Sequence, residues 1–209
     1  MQQLCDYLWL FIFGSFFGFV IETIWCLIRW KKFESRKGLI YGHFIPIYGI
    51  AGLFLAIVID VLNIGKKFLV FIASFLIGGF VEYFSSLFQE KVTGTISWDY
   101  SDMKFNLHGR VNLIYLIGFG LFGLLWYMIY PRFLSLLHII FSSNNIFVVI
   151  SVIVGLLMLC DMFISLVAMI RQKRRREGKL ARNKFESWLD YKYPDSYLKR
   201  VYANSKFVK

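Results

Sequence analysis

The sequence predicts an all-α polytopic membrane protein with five transmembrane helices, and three observations carry this reading. Of 209 residues, 58% are hydrophobic and 18% are charged. A soluble domain carries about 45–50% apolar and about 25% charged residues. Five apolar runs are long enough to cross about 30 Å of hydrocarbon, which takes roughly 20 helical residues. Finally, 21 of the 24 Lys and Arg residues fall in alternate connections, the partition a multi-span chain shows under the positive-inside rule. The net charge of +11 would point a soluble protein toward nucleic acid. Here the basic residues flank apolar runs, so the expected partner is membrane lipid and no nucleic acid is expected.

The first run, Tyr7–Ile28, is too long for a cleavable signal and lacks a positive n-region and an A-x-A site. It reads as a span, followed by Arg29, Lys31, Lys32, Arg36 and Lys37. The second run, Phe44–Leu62, is followed only by Lys66 and Lys67. The third, Phe68–Phe88, is followed by Lys91, Lys104 and Arg110. The fourth is Val111–Tyr130, with Arg132 after it. Leu134–Phe141 is apolar but too short to span, and is expected to be an interfacial or re-entrant piece. The fifth, Ile146–Ile170, precedes a tail holding thirteen Lys and Arg residues. Unpaired backbone groups are costly in lipid, so each run is expected to be a helix. The charge partition places the N-terminus outside and the C-terminus in the cytoplasm. Three parts result: a four-helix membrane core (1–131), an interfacial segment with the fifth helix (132–170) and a basic cytoplasmic tail (171–209).

The tail opens with Arg171-Gln172-Lys173-Arg174-Arg175-Arg176, which reads as a topology anchor touching anionic headgroups. Phe185, Trp188, Tyr191, Tyr193, Tyr197 and Tyr202 interleave with Lys and Arg further on, a pattern suited to the headgroup zone. Cys5, Cys26 and Cys160 are scattered and imply no disulfide framework. The sequence contains neither a Walker A loop nor G-x-G-x-x-G nor H-E-x-x-H. ATP hydrolysis by this chain, a resident metal and a cofactor are therefore not expected, and no catalytic set is recognisable.

Two helices share a pattern: Gly14-x3-Gly18-x3-Glu22 and Ser74-x3-Gly78-x3-Glu82. Residues four apart lie on one helix face, so each helix carries a small-residue stripe leading to a carboxylate. The following helices also match, with Ile47-Tyr48 after Gly42 and Ile114-Tyr115 at the same offset after Gly109. Two parallel copies of a helix hairpin, residues 7–62 and 68–130, would explain this, as would chance similarity between Phe/Gly/Ile-rich segments. Small stripes also serve close helix packing.

Glu22, Glu82 and Asp161 lie at similar depth in the inner half of their spans. An ionised carboxylate in lipid costs at least about 2.5–3.5 kcal/mol, so each must face the bundle interior and find a partner. Glu22 and Glu82 point to a cation, proton or polar-substrate site, while buried interhelical hydrogen bonds are the bland alternative. Asp161 is closer to the bland reading, and Asp60 sits near the outer end. Arg110 is the natural counter-charge for Glu82, Glu90 or Asp99, and its planar fork could also hold a phosphate or carboxylate. His43 and His108 occupy loops beside matched helix starts, and His138 lies on the opposite side.

The blocks Glu22-Thr23, Gly38-Leu39-Ile40-Tyr41-Gly42-His43-Phe44-Ile45-Pro46-Ile47-Tyr48-Gly49, Glu82-Tyr83, Glu90-Lys91, Trp98-Asp99-Tyr100-Ser101-Asp102 and Phe105-Asn106-Leu107-His108-Gly109-Arg110 resemble the bacterial ABC-transporter type IV membrane family. The resemblance covers roughly residues 10–131, with His43 departing from a Gly-Pro pair. It implies a permease of the bacterial inner membrane working with a separate ATPase chain. The expected substrate- or ion-binding residues are Glu22, Glu82, Arg110, Glu90, Asp99, Asn106, Tyr48, Tyr41 and Trp98. The functional expectation is the membrane component of a transporter for a cation or small polar substrate. Five spans make a thin bundle, so a homo-oligomer or a partner membrane subunit is expected. An intramembrane enzyme acting on a lipid-linked substrate and a non-catalytic scaffold or regulator are the alternatives.

Overall fold

The computed structural model describes residues 2–141 and 144–208. Four helices are long and apolar enough to cross a membrane: α1 (Gln2–Trp30), α3 (Lys67–Thr93), α4 (Leu113–Ile140) and α5 (Asn144–Arg176). At 1.5 Å per residue each measures roughly 40–50 Å, longer than the hydrocarbon layer of about 30 Å. The second apolar run forms a shorter helix than expected. Helix α2 (Pro46–Val61) has 16 residues, about 24 Å.

The missing length of α2 is supplied by non-helical chain. Gly38–Ile45 folds back into the bundle, and the Ile45 amide donates to the carbonyl of Ser15, midway along α1 (2.9 Å). Irregular backbone at that depth needs its polar groups paired within the protein. Gly38 N donates to Phe44 O (2.9 Å). Ile40 N donates to Ser165 Oγ (2.9 Å), and Tyr41 N and Gly42 N donate to the two oxygens of Asp161 (3.2 and 2.7 Å). A Cβ at Gly42 would meet the Phe44 ring and Asp161 Oδ2, so only glycine lets that amide reach its acceptor.

The re-entrant segment is therefore Gly38–Ile45 and not Leu134–Phe141. Residues 134–140 are the last turns of α4, which runs through Pro131. A proline removes one backbone donor and crowds the preceding turn. Contacts to neighbouring helices compensate. Phe133 stacks on Phe13 of α1 (centroids 4.0 Å), Leu137 packs against Cys5 and Phe147, and His138 Nε2 meets Asp6 Oδ1 (2.8 Å).

The most extensive helix contacts are α1 with α2 and α3 with α4, so each hairpin is a packed unit. Gly14 lies against Gly49, and Gly18 against the Tyr48 ring. In the second hairpin Ser74 Oγ donates to Phe119 O (2.7 Å), and Gly78 lies against the Phe119 side chain. The stripes on α1 and α3 thus do the same work, but α4 is offset by one turn from the sequence match. Gly18 receives Tyr48, whereas Gly78 receives Phe119 and not Tyr115. Between the hairpins, Leu10, Leu55, Ala56, Val70 and Trp126 form the core.

The tail folds back on the bundle. Helices α6 (Lys184–Lys192) and α7 (Asp195–Val201) bury Leu189, Tyr193, Leu198 and Tyr202 with Ile40 and Ala168. Arg171 grips Asp190 through two bonds (2.9 and 2.8 Å), Arg175 bridges Asp190 and Asp195 (2.6 and 2.5 Å), and Arg174 pairs with Glu186. These three arginines, read from the sequence as a lipid anchor, are used within the tail. Their planar forks find carboxylates at matching positions on α6 and α7. The tail holds both loops at this end of the bundle. Tyr193 and Tyr41 share a hydroxyl–hydroxyl bond (2.6 Å), and Ser35 Oγ donates to Val201 O (2.6 Å). Strand β1 (Thr95–Ile96) pairs antiparallel with the C-terminal β4 (Lys206–Phe207).

Candidate functional site

The two stripe carboxylates are each capped by a tyrosine. On α1, Glu22 Oε1 accepts from Tyr48 Oη, two residues into α2 (2.7 Å). The re-entrant loop starts α2 deep enough for Tyr48 to reach it. On α3, Glu82 Oε1 accepts from Tyr100 Oη of the following loop (2.9 Å). The two acid–phenol pairs lie within electrostatic range of each other, with no hydrogen bond recorded between them among the described residues. Glu82 is 6% exposed, and its second oxygen, Oε2, is buried with no hydrogen-bond partner among the described residues. Tyr100 stacks on Tyr115 (centroids 4.7 Å). Burial first, and then the charge of Glu82, raise the Tyr100 pKa, so this phenol stays a donor.

A second group lies along the same face of α3. Glu82, Ser86 and Glu90 recur every four residues. Arg110 spans the latter two, with Nη1 donating to Ser86 Oγ (3.0 Å) and Nη2 paired with Glu90. Of the three counter-charges open to Arg110, the structure selects Glu90. Glu82 lies two turns deeper and is engaged by Tyr100, while Asp99 is exposed and turned to its own loop. Trp98 Nε1 donates to Arg110 O (2.9 Å), fixing the loop over this pair. Strands β2 (Asn106–Leu107) and β3 (Val111–Asn112) form a hairpin in which His108 and Gly109 both have positive φ (54° and 68°). At Gly109 that conformation comes without strain.

The other candidate residues hold the scaffold. Asp99 accepts from the Ser101 hydroxyl and amide (2.6 and 2.9 Å), and these bonds, the hydroxyl first, keep its carboxyl below the usual range. Asn106 donates to Met103 O (2.7 Å) and accepts from Gly109 N (2.8 Å), and Tyr41 holds Tyr193. Neither Asp99 nor Asn106 nor Tyr41 hydrogen-bonds to an acid of the cluster. Asp161 is taken up by the Tyr41–Gly42 amides. His43 stands edge-on to Phe19 (5.1 Å), and His108 Nδ1 bonds Tyr83 Oη (3.0 Å). Among the described residues, no three His, Cys, Asp or Glu side chains gather where a metal ion could be held. Reading the residues individually missed Tyr100 and Ser86. The four-residue period after Glu82 pointed to Ser86, whereas Tyr100 carried no periodic signal.

The fold defines a multi-pass membrane protein built on two packed helix hairpins, each holding an acid capped by a tyrosine. The family model described as "Putative ABC-transporter type IV" matches residues 9–166, and the chain belongs to that family. No curated protein and no solved structure matches it. The match runs beyond the expected limit at residue 131 and takes in most of α5. The physical reason is visible in α5, where Asp161 and Ser165 bind the Ile40–Gly42 amides of the block that carries the resemblance.

Proposed function

We propose that the protein is the membrane component of a transporter that moves a cation or small polar substrate, with Glu22 and Glu82 as its paired contact groups. The observation that carries this reading is Glu82 Oε2, a buried carboxylate oxygen without a partner among the described residues and within electrostatic range of Glu22. Burying a charged oxygen unpaired costs several kcal/mol, so a proton or a cationic group at that position recovers a large interaction. Support also comes from α2, which begins inside the bundle after non-helical chain, a device that transporters use to build sites at depth. The stripe Glu82, Ser86, Glu90 with Arg110 leads from the cluster toward the basic end, which we place in the cytoplasm from the charge partition. A separate ATPase chain, implied by the family description, would meet the protein at that end, and a second copy or partner subunit would complete the pathway.

The test is flux of protons and alkali cations in liposomes carrying the purified protein. Wild type should exceed protein-free liposomes, and Glu22→Gln and Glu82→Gln should each lower flux by about tenfold or more, as for loss of a charged contact. Wild-type flux in both variants, or a wild type no faster than protein-free liposomes, refutes the reading.

A further inference from the structure

The tail contains a second site that the acidic cluster does not use. A cavity of about 300 Å³ lies between the end of α5, α7 and the C-terminal strand, lined among others by Gln172, Arg176, Asp195, Lys199, Ser205 and Phe207. Its chemistry is that of a donor set. Gln172 is 7% exposed, and its side chain lines the cavity. Ser205 Oγ is buried, and among the described residues it has no hydrogen-bond partner. Arg171, Arg174 and Arg175 have carboxylate partners, but among the described residues Arg176 and Lys199 pair with none. The one acid in the lining, Asp195, is neutralised by Arg175 (2.5 Å).

Arg176 is held ready by Phe207. Its guanidinium lies over the ring, with its carbon 3.2 Å from the centroid. A stacked guanidinium keeps its N–H edge free, and that edge matches two oxygens of an oxyanion. Phe207 is fixed in turn by pairing with Thr95 in the β1–β4 ladder. An amide, a hydroxyl, a guanidinium and an ammonium facing one cavity give donors and positive charge with no uncompensated acid.

We propose that this cavity binds a phosphate group, with Arg176 as the bidentate ligand and Gln172, Ser205 and Lys199 completing the donor set. The phosphate comes either from an anionic lipid headgroup at this end of the bundle or from a free phosphate in solution.

The test uses the full chain in nanodiscs and titrates inorganic phosphate by calorimetry. In phosphatidylcholine nanodiscs, saturable binding is expected. Arg176→Gln and Ser205→Ala should each weaken it by about tenfold, and Arg176→Lys should recover only part of the loss. Circular dichroism on each variant verifies that the helices are retained. In phosphatidylglycerol nanodiscs, loss of the phosphate signal assigns the site to lipid headgroups, and an unchanged signal assigns it to free phosphate. Absence of saturable binding in phosphatidylcholine nanodiscs, or equal binding by wild type and folded Arg176→Gln, overturns the proposal.

Discussion

Replacing Asp161 with alanine removes the acceptor that holds the re-entrant segment. Asp161 is 8% exposed and accepts from Gly42 N (2.7 Å), Tyr41 N (3.2 Å) and Ser165 Oγ (3.1 Å). A hydrogen bond to a charged acceptor contributes about 1.5–3 kcal/mol. The longer Tyr41 contact belongs at the low end. Partial rehydration of the freed amides offsets some of the loss, which leaves about 3 kcal/mol for local opening of Gly38–Ile45. At 1.4 kcal/mol per decade this speeds amide exchange at Tyr41 and Gly42 about a hundredfold. Asp161→Asn keeps one acceptor oxygen, and its effect should be about half as large in free energy. Hydrogen exchange read by mass spectrometry on peptides covering residues 38–45 measures this directly, with peptides from α3 as an internal reference. Unchanged exchange in a folded Asp161→Ala variant would refute the claim that Asp161 is a structural clamp.

Three further outcomes follow from named contacts. Gly18→Val drives a side chain into the Tyr48 ring. It should cost about 1–3 kcal/mol, seen as a lower unfolding temperature in detergent, and no change would refute the packing account. Arg110→Lys cannot span Ser86 and Glu90 together. It should lose about 1–2 kcal/mol in local stability of the 94–112 loop, measured by hydrogen exchange, and wild-type protection would contradict the bridge. The tail should detach in acid. Hydrogen bonds from Arg171 first, and then Arg175, hold the Asp190 pKa below the usual carboxylate value. A depressed folded-state pKa gives stability that is complete above the unfolded value of about 3.9 and is lost as pH falls below it. Acid-protease sensitivity of residues 184–208 should therefore be flat above about pH 4 and rise below it, and a rise confined to higher pH would contradict the assignment.

The long helices were legible because apolar runs of more than 20 residues have few other uses. The length of α2 was not. The apolar run was taken to open the helix at Phe44, whereas Pro46 opens it, and hydropathy does not distinguish chain paired within a helix from Phe44 and Ile45 paired to Gly38 and Ser15. The end of α4 was misjudged for a related reason. The span was ended at Tyr130 and Leu134–Phe141 was set apart as too short to cross, whereas the Phe13–Phe133 stack along the continuing helix is a long-range contact. In the tail the arginine run drew attention to lipid, although Glu186, Asp190 and Asp195 stand one to two dozen residues beyond it. Only folding brings them opposite. The site divides in the same way. Glu22 and Glu82 were visible from four-residue periodicity, Tyr48 from its place after the matched Gly, and Glu90 among the partners open to Arg110. Tyr100 caps Glu82 from the loop, while Tyr115, the residue matched to Tyr48 in sequence, stacks on Tyr100.

The central claim is that Glu22 and Glu82 work as one site. A double-mutant cycle on cation flux in liposomes tests it, using Glu22→Gln, Glu82→Gln and the pair together. Residues of a single unit are strongly non-additive, so the double variant should be no slower than the slower single variant. Losses that multiply would mean two independent groups and would contradict the account.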